Sequence, residues 1–356
     1  MNMLIVVLMI ILKHIVQLLI KLLIRIKMLT KDQKDKLLKI ERNLKNWEFP
    51  PQLIIETTSV CNQKCIHCNH RIMERPKVHM KDEVYKKIID ELSEIAPNTE
   101  VWPTFYGEAF TLREKLFERL RYARDKGLSN LVLNSNGRLL ERDNWIDEIL
   151  TSGLKRFILS LDGFTKETFE KIRVGGDRDK IYAAVEKLLL RKEELNLEFP
   201  VIQCQYSVME ENEHEVEMFQ SYWEERGAEV KTRAMFSWTN SGEVVAQNLD
   251  YSNEFRIACP WANNTMAIHQ DGNVVTCAVD YSGRCVVGNV QEFSLVELWA
   301  RHNEIVRKPH IENRWNDIPD ICKTCPDWQV VGATYHKNKN IEEKKEARPF
   351  WWKNDS

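Results

Sequence analysis

The chain lacks an excess of either charge. Its 51 lysines and arginines meet 53 aspartates and glutamates, for a net charge of −2. No global basic field is present to attract nucleic acid. No basic stretch precedes the apolar N-terminus, which argues against a secretory signal. A fourth cysteine is missing where three others crowd together, and no cysteine follows Cys325.

What is present is chemistry-bearing. Cys61, Cys65 and Cys68 stand as C-x3-C-x2-C inside TTSVCNQKCIHCNH. Ordinary electron-transfer [4Fe–4S] clusters take four cysteines. Three thiolates can hold three irons and leave the fourth open to a non-protein ligand. The nine cysteines fall into groups, 61/65/68, 204, 259/277/285 and 322/325. Grouping of this kind in a long chain reads as metal ligation rather than disulfide pairing. It implies a reducing, cytoplasmic setting. The triplet alone also suits a zinc site with His67 or His70 as fourth ligand.

Residues 3–20 are almost all apolar, and thirteen of them are Leu, Ile or Val. That composition favours membrane insertion by roughly 4–8 kcal/mol, and Lys13 opposes it by about 3 kcal/mol. Lys13, Gln17, Lys21 and Arg25 recur every four residues, making one polar stripe on a helix. Such a helix suits the membrane interface at the inner face of the cell membrane. The competing reading is that translation begins at Met28.

The 356 residues and 43% hydrophobic content suffice for one large α/β domain with a small appendage. Residues 29–49 read as a helical lead-in. Strands are expected at 53–57, 101–106, 130–133, 156–161, 201–207 and 230–234. Helices are expected at 81–95, 112–126, 139–152, 178–194 and 212–226. Six βα repeats predict a parallel sheet curved into a partial (β/α)6 barrel over 50–236. Residues 237–258 form a polar connector, 259–330 a small domain with the remaining cysteines, and 331–356 a charged tail. Ligands of parallel sheets sit at the carboxyl ends of strands. The cysteine triplet follows the first strand at that end.

On these motifs, residues 50–330 resemble the radical S-adenosylmethionine (radical SAM) enzymes. The resemblance implies that the open iron chelates SAM and that cleavage gives methionine and a 5′-deoxyadenosyl radical. Tyr106-Gly107-Glu108-Ala109 matches the family's GGEP stretch, with the first Gly and the Pro replaced. By the resemblance, Glu108 accepts from the SAM ammonium and Gly107 lets the backbone approach the cofactor. Asn136 lies in a stretch resembling TNG. Ser160 and Asp162 end the fourth strand on one face, toward the barrel interior. Arg173 is expected to meet the SAM carboxylate, and His67 to stack on adenine.

The second cysteine set resembles the family's C-terminal SPASM or twitch extension. Cys259, Cys277, Cys322 and Cys325 are expected to hold one auxiliary [4Fe–4S] cluster. Asp271-Gly272 is expected to turn a hairpin that brings ligands together. A four-thiolate zinc site has legal spacing too. Cys204 shares a face with Ile202 and Tyr206, so it is expected in the core. Gln203 and Gln205 then face the lumen as candidate substrate contacts, and Cys285 is a candidate hydrogen-atom donor.

These features predict a radical SAM oxidoreductase acting on a sugar- or cyclitol-like carbinol. Peptide maturation, epimerisation and a non-enzymatic zinc-binding scaffold are the alternatives. A small-molecule or peptide substrate and a flavodoxin- or ferredoxin-type reductant are implied as partners. The N-terminal stripe predicts that the full-length chain sediments with membranes and that a chain beginning at Met28 does not. Equal partitioning of the two on fractionation would remove the anchor.

Overall fold

The computed structural model describes residues 48–142, 144–238, 256 and 258–329. The apolar segment 1–28, most of the lead-in, nearly all of the connector and the tail 331–356 lie outside the described residues. Among the described residues no helix is long and apolar enough to cross a membrane.

Six parallel strands stand in chain order: β1 (Gln52–Ile55), β2 (Glu100–Trp102), β3 (Val132–Ser135), β4 (Arg156–Ser160), β5 (Val201–Val208) and β6 (Glu229–Ala234). β1 pairs with β2, and β3 to β6 pair in succession. A parallel bridge between Val101 and Leu131 joins the two groups. Between the strands lie α1 (Asp82–Ile95), α2 (Glu114–Asp125), α3 (Trp145–Thr151), α4 (Lys166–Ile172), α5 (Arg178–Glu194) and α6 (Val216–Glu224).

Side-chain alternation explains the layering. In β5, Ile202, Cys204, Tyr206 and Val208 join the main core under the helices. Gln203, Gln205 and Ser207 therefore take the opposite, lumen-facing side. In α1, Val84, Tyr85, Ile88, Ile89 and Leu92 are buried, an apolar stripe at helical spacing. Phe110 anchors the loop after β2, stacking on Trp145 at 5.4 Å between centroids. Burying such a ring contributes about 1.5–3 kcal/mol.

Three features depart from the sequence expectations. β2 stops at Trp102, because Pro103 has no N–H to continue the ladder. Helix α4 is additional; the Thr165 side chain caps it by accepting from the Thr168 amide. The third departure is topological. The C-terminal cysteine region contains α7 (Pro260–Asn264), then β7 (Thr265–Ile268), β8 (Asn273–Val275) and β9 (Val286–Asn289). β7 pairs in parallel with β1, so the barrel sheet continues straight into this region. β7 and β8 form the expected hairpin, with Gly272 at φ +88° in its turn. Two further helices, α8 (Leu295–His302) and α9 (Lys308–Ile311), cover it before α10 (Asp320–Lys323).

Gly107 shows how tightly this architecture holds its loops. A Cβ there would stand 2.2 Å from the Thr58 carbonyl oxygen and 2.8 Å from that of Val60. Gly107→Ala is expected to destabilise the protein by about 3 kcal/mol, the upper part of the overpacking range, since both neighbours are backbone. Denaturant unfolding checks this; an unchanged midpoint would refute it.

Candidate active site

The loop bearing Cys61, Cys65 and Cys68 leaves β1 at the carboxyl end of the sheet. It has almost no regular structure, so other segments must hold it. On one side the Glu108 amide donates to Val60 O at 2.8 Å. On the other, the Lys64 and Ile66 amides donate to Val174 O and Ile172 O at 2.9 and 3.0 Å. The Thr58–His79 bridge and the bond between His70 Nε2 and Ser59 O, at 2.7 Å, close the loop on itself.

Around it the proposed site residues converge unevenly. The Glu108 carboxylate is buried and accepts from Ser135 Oγ at 2.9 Å, from the Asn136 amide at 2.7 Å and from the Phe110 amide. Burial pushes its pKa up, and these donors work against that. Asn136 reaches Asn62, inside the cysteine loop, at 2.8 Å. Asp162 is fully buried with φ +54°. It pairs with Arg173, accepts from the Ser207 amide at 2.6 Å and faces His67 Nε2 at 3.4 Å. Burial raises its pKa, but the Arg173 guanidinium, with the Ser207 amide, outweighs this and holds it below the usual carboxylate range. Burial pushes His67 down to about 4, so its ring is neutral at physiological pH. Ser160 donates to Asn134 Oδ1 at 3.0 Å on the lumen face.

Other expected residues have different neighbours. Gly107 approaches the protein's own cysteine loop, as its contacts with Thr58 and Val60 show. The Tyr106 hydroxyl donates to Ala278 O, which ties the loop after β2 to the second cysteine region. Gln203 is bound at the opposite, amino-terminal end of the sheet, where it donates to Glu229 Oε1 at 2.5 Å. Gln205 lies one step nearer the cysteine end, level with Ser160.

Cys259, Cys277, Cys322 and Cys325 line one pocket, together with Trp261, His310, Asp327 and Trp328. Cys285 is not among its lining residues, though its thiol is near enough to Cys322 to raise that thiol's pKa further. The Cys285 amide is held by Asp280 at 2.9 Å.

Both cysteine groups suit iron–sulfur clusters. Burial raises every thiol pKa within them, Cys61 to about 12 and Cys68 to about 11. Such thiols stay protonated until a metal displaces the proton. Beside the triplet, Asn62 Nδ2, Gln63 Nε2, His67 Nδ1, Arg173 Nε and Ser207 Oγ are buried with no hydrogen-bond partner. Buried polar atoms left this way are costly and fit a polar ligand. Among the described residues no three His, Cys, Asp or Glu side chains are grouped as ligands of a single ion.

Sequence reasoning missed Asn62, Gln63, Ser207, Arg233 and Trp238. The first two stand between the cysteines, which was a usable signal. Ser207 and Arg233 share the alternation of Gln205, which places them on the lumen face. Trp238 donates to His67 O at 2.8 Å and packs against Tyr106 and the second cysteine group, a contact between distant segments that no local pattern announces.

A parallel barrel with an open three-thiol loop at its carboxyl end and a four-thiol centre beyond defines a class of iron–sulfur enzyme. Residues 55–202 match the family model of the radical SAM superfamily, and residues 259–326 match that of SPASM, an iron-sulfur cluster-binding domain. The chain belongs to the radical SAM superfamily and carries this second domain. Its cofactors are SAM and [4Fe–4S] clusters. The chain is 32% identical over 141 residues to the AdoMet-dependent heme synthase of Methanosarcina barkeri, covering 39% of each protein. Curated relatives such as this are matched over less than half of their length. Streptococcus suis SuiB bound to precursor peptide SuiA superposes with a TM-score of 0.60 at 13% identity, covering 82% of this chain and 74% of that one. BtrN in complex with AdoMet and 2-DOIA gives 0.54 at 17%, covering 78% and 93%. At these identities the structural likeness is one of fold.

The Asp162–Arg173 pair yields a direct test. Arg173→Met leaves a buried carboxylate uncompensated and is expected to cost about 3–5 kcal/mol. Asp162 is held below its usual pKa, so its contribution is full above the unfolded value near 4 and is lost as pH falls through the folded value. Arg173→Met should therefore lose most stability near pH 7 and differ less from wild type below pH 4. Unfolding curves at both pH values check this, and an equal loss at both would contradict it.

Proposed function

We propose that the chain is a radical SAM oxidoreductase that oxidises a carbinol carbon of a sugar- or cyclitol-like substrate and passes one electron to an auxiliary [4Fe–4S] cluster. The observation that carries this reading is the cavity lined by Cys259, Cys277, Cys322 and Cys325. Four thiolates satisfy all four irons of a cluster. Such a centre has no corner left for substrate and serves to exchange electrons.

In this reading Cys61, Cys65 and Cys68 hold the first cluster, and Glu108, Asn136, Ser160 and Arg173 belong to the SAM site. When bound, SAM and its cluster supply a 5′-deoxyadenosyl radical able to break an unactivated C–H bond. The protein's part is position and exclusion. Glu108 and Asn136 fix the wall beside Cys61. Asp162 orients Arg173 beside Cys65. Tyr106 and Trp238 close the space between the two centres. On the substrate, the carbon gives up a hydrogen atom, the hydroxyl gives up a proton, and one electron leaves for the second centre. A donor of the flavodoxin or ferredoxin class would prime the first cluster, and the electron left on the second centre would return to the first or to that carrier, which balances the turnover.

A second reading is modification of a ribosomal peptide. The likeness to SuiB, whose structure holds a precursor peptide, supports it. Epimerisation would require Cys285 to return a hydrogen atom. Product mass separates oxidation from epimerisation: oxidation removes about two mass units, and epimerisation leaves mass unchanged.

The cluster-loaded chain, reduced and given SAM, is expected to release 5′-deoxyadenosine, and Cys65→Ala to release none. Cys277→Ala is expected to bind about four irons in place of about eight, since each cubane holds four. It should still cleave SAM but fail to accumulate oxidised product. A Cys277→Ala protein that keeps all its iron would refute the second-centre assignment.

A further inference from the structure

We propose that Arg233, with the Ser207 hydroxyl beside it, forms a binding site for an anionic group of the substrate, a carboxylate or a phosphate ester. This rests on reading the barrel lumen as the substrate chamber.

Ser207 and Arg233 are direct neighbours across β5 and β6. Both lie on the lumen face, because the alternate residues Tyr206, Val208 and Ala234 are in the core. Ser207 Oγ is buried without a partner. Among the described residues no carboxylate stands at ion-pair distance from Arg233. Its guanidinium lies over the Phe236 ring at 4.6 Å and makes one long bond, to Ala234 O at 3.3 Å.

The nearby acids are already engaged. Asp162 is taken by Arg173, the Ser207 amide and His67. Asp327 accepts from the Ser237 amide at 2.6 Å, and the Ser237 side chain and Trp238 backbone hold it further. Two guanidiniums therefore stand at this end of the barrel beside acids that already have hydrogen-bond partners. Arg173 stands beside the Cys65 thiol, where the first cluster would be held. Arg233 is left without an ion pair at bonding distance among the described residues. A half-buried guanidinium of this kind is stabilised when an anion meets it. Its planar fork suits the two oxygens of a carboxylate or phosphate.

The position is what a substrate anchor requires. Phe236, under Arg233, stacks at 5.1 Å on Trp261, which lines the four-thiol cavity. Asp162 and His67, on the other side, border the three-thiol loop. An anion held at Arg233 would set the attached carbon skeleton between the two centres. Gln205 and Lys231, paired one step earlier on the same face, extend the polar wall.

The test measures binding, not turnover, on the cluster-loaded full chain at constant ionic strength. Inorganic phosphate and succinate are titrated by calorimetry, with SAM affinity measured in parallel. Wild type is expected to bind one of the two, and the preferred one identifies phosphate ester or carboxylate as the group. Arg233→Gln should weaken that binding about tenfold or more, as expected for loss of a charged hydrogen bond. Ser207→Ala should weaken it less, and it decides the matter if Arg233→Gln does not fold. The proposal is overturned if wild type binds neither anion, if the variants bind as wild type does, or if Arg233→Gln loses SAM affinity to the same degree. Failure of wild type to form 5′-deoxyadenosine would sink the enzymatic reading and leave the anion result standing.

Discussion

The cysteine loop is held from outside. Between β1 and α1 the chain makes almost no regular structure, yet three thiols there must keep one geometry. Two flanking segments supply the order. The loop after β2 comes close enough to bond Val60 only because residue 107 has no Cβ. The segment after α4 bonds Lys64 and Ile66 through its carbonyls. Glu108 and Arg173 then arrive on opposite sides of the thiols as a consequence of this docking. The same backbone contacts that shape the loop therefore place its chemistry.

A second consequence concerns charge. The space above the sheet buries Asp162, Arg173, Glu108 and a neutral His67 within a few residues of the thiols. Most of their hydrogen-bonding capacity is used internally, which fixes orientation. The atoms left over belong to Asn62, Gln63, His67, Arg173 and Ser207, all buried without a partner around the cysteine loop and the barrel lumen. Beyond them, Tyr106 and Trp238 bridge to the four-thiol centre through Ala278 and His67. With β7 added to β1, the two centres share one continuous sheet. Their separation is then set by the fold rather than by a linker.

Much of this was legible in the sequence. Strand and helix positions followed from apolar periodicity, and the cysteine spacings announced two metal centres. The alternation in VIQCQYS correctly separated Cys204 from the lumen. What escaped was long-range. No local pattern says that β7 joins β1, since parallel pairing between residues 52–55 and 265–268 depends on topology alone. The role of Gly107 was read as closeness to a cofactor, whereas its collision partners are Thr58 and Val60. Tyr106 reaches Ala278 and Gln203 reaches Glu229, protein partners that no local pattern names. In each case the residue type was informative and the partner was not.

The central claim is that two distinct clusters occupy this sheet and that only the three-thiol one meets SAM. Electron paramagnetic resonance of the reduced, cluster-loaded protein tests it most directly. The account predicts two [4Fe–4S] signals, of which one shifts on adding SAM and is lost in Cys61→Ala, while the other does neither. A single signal, or a SAM response carried by the cluster that survives in Cys61→Ala, would contradict it.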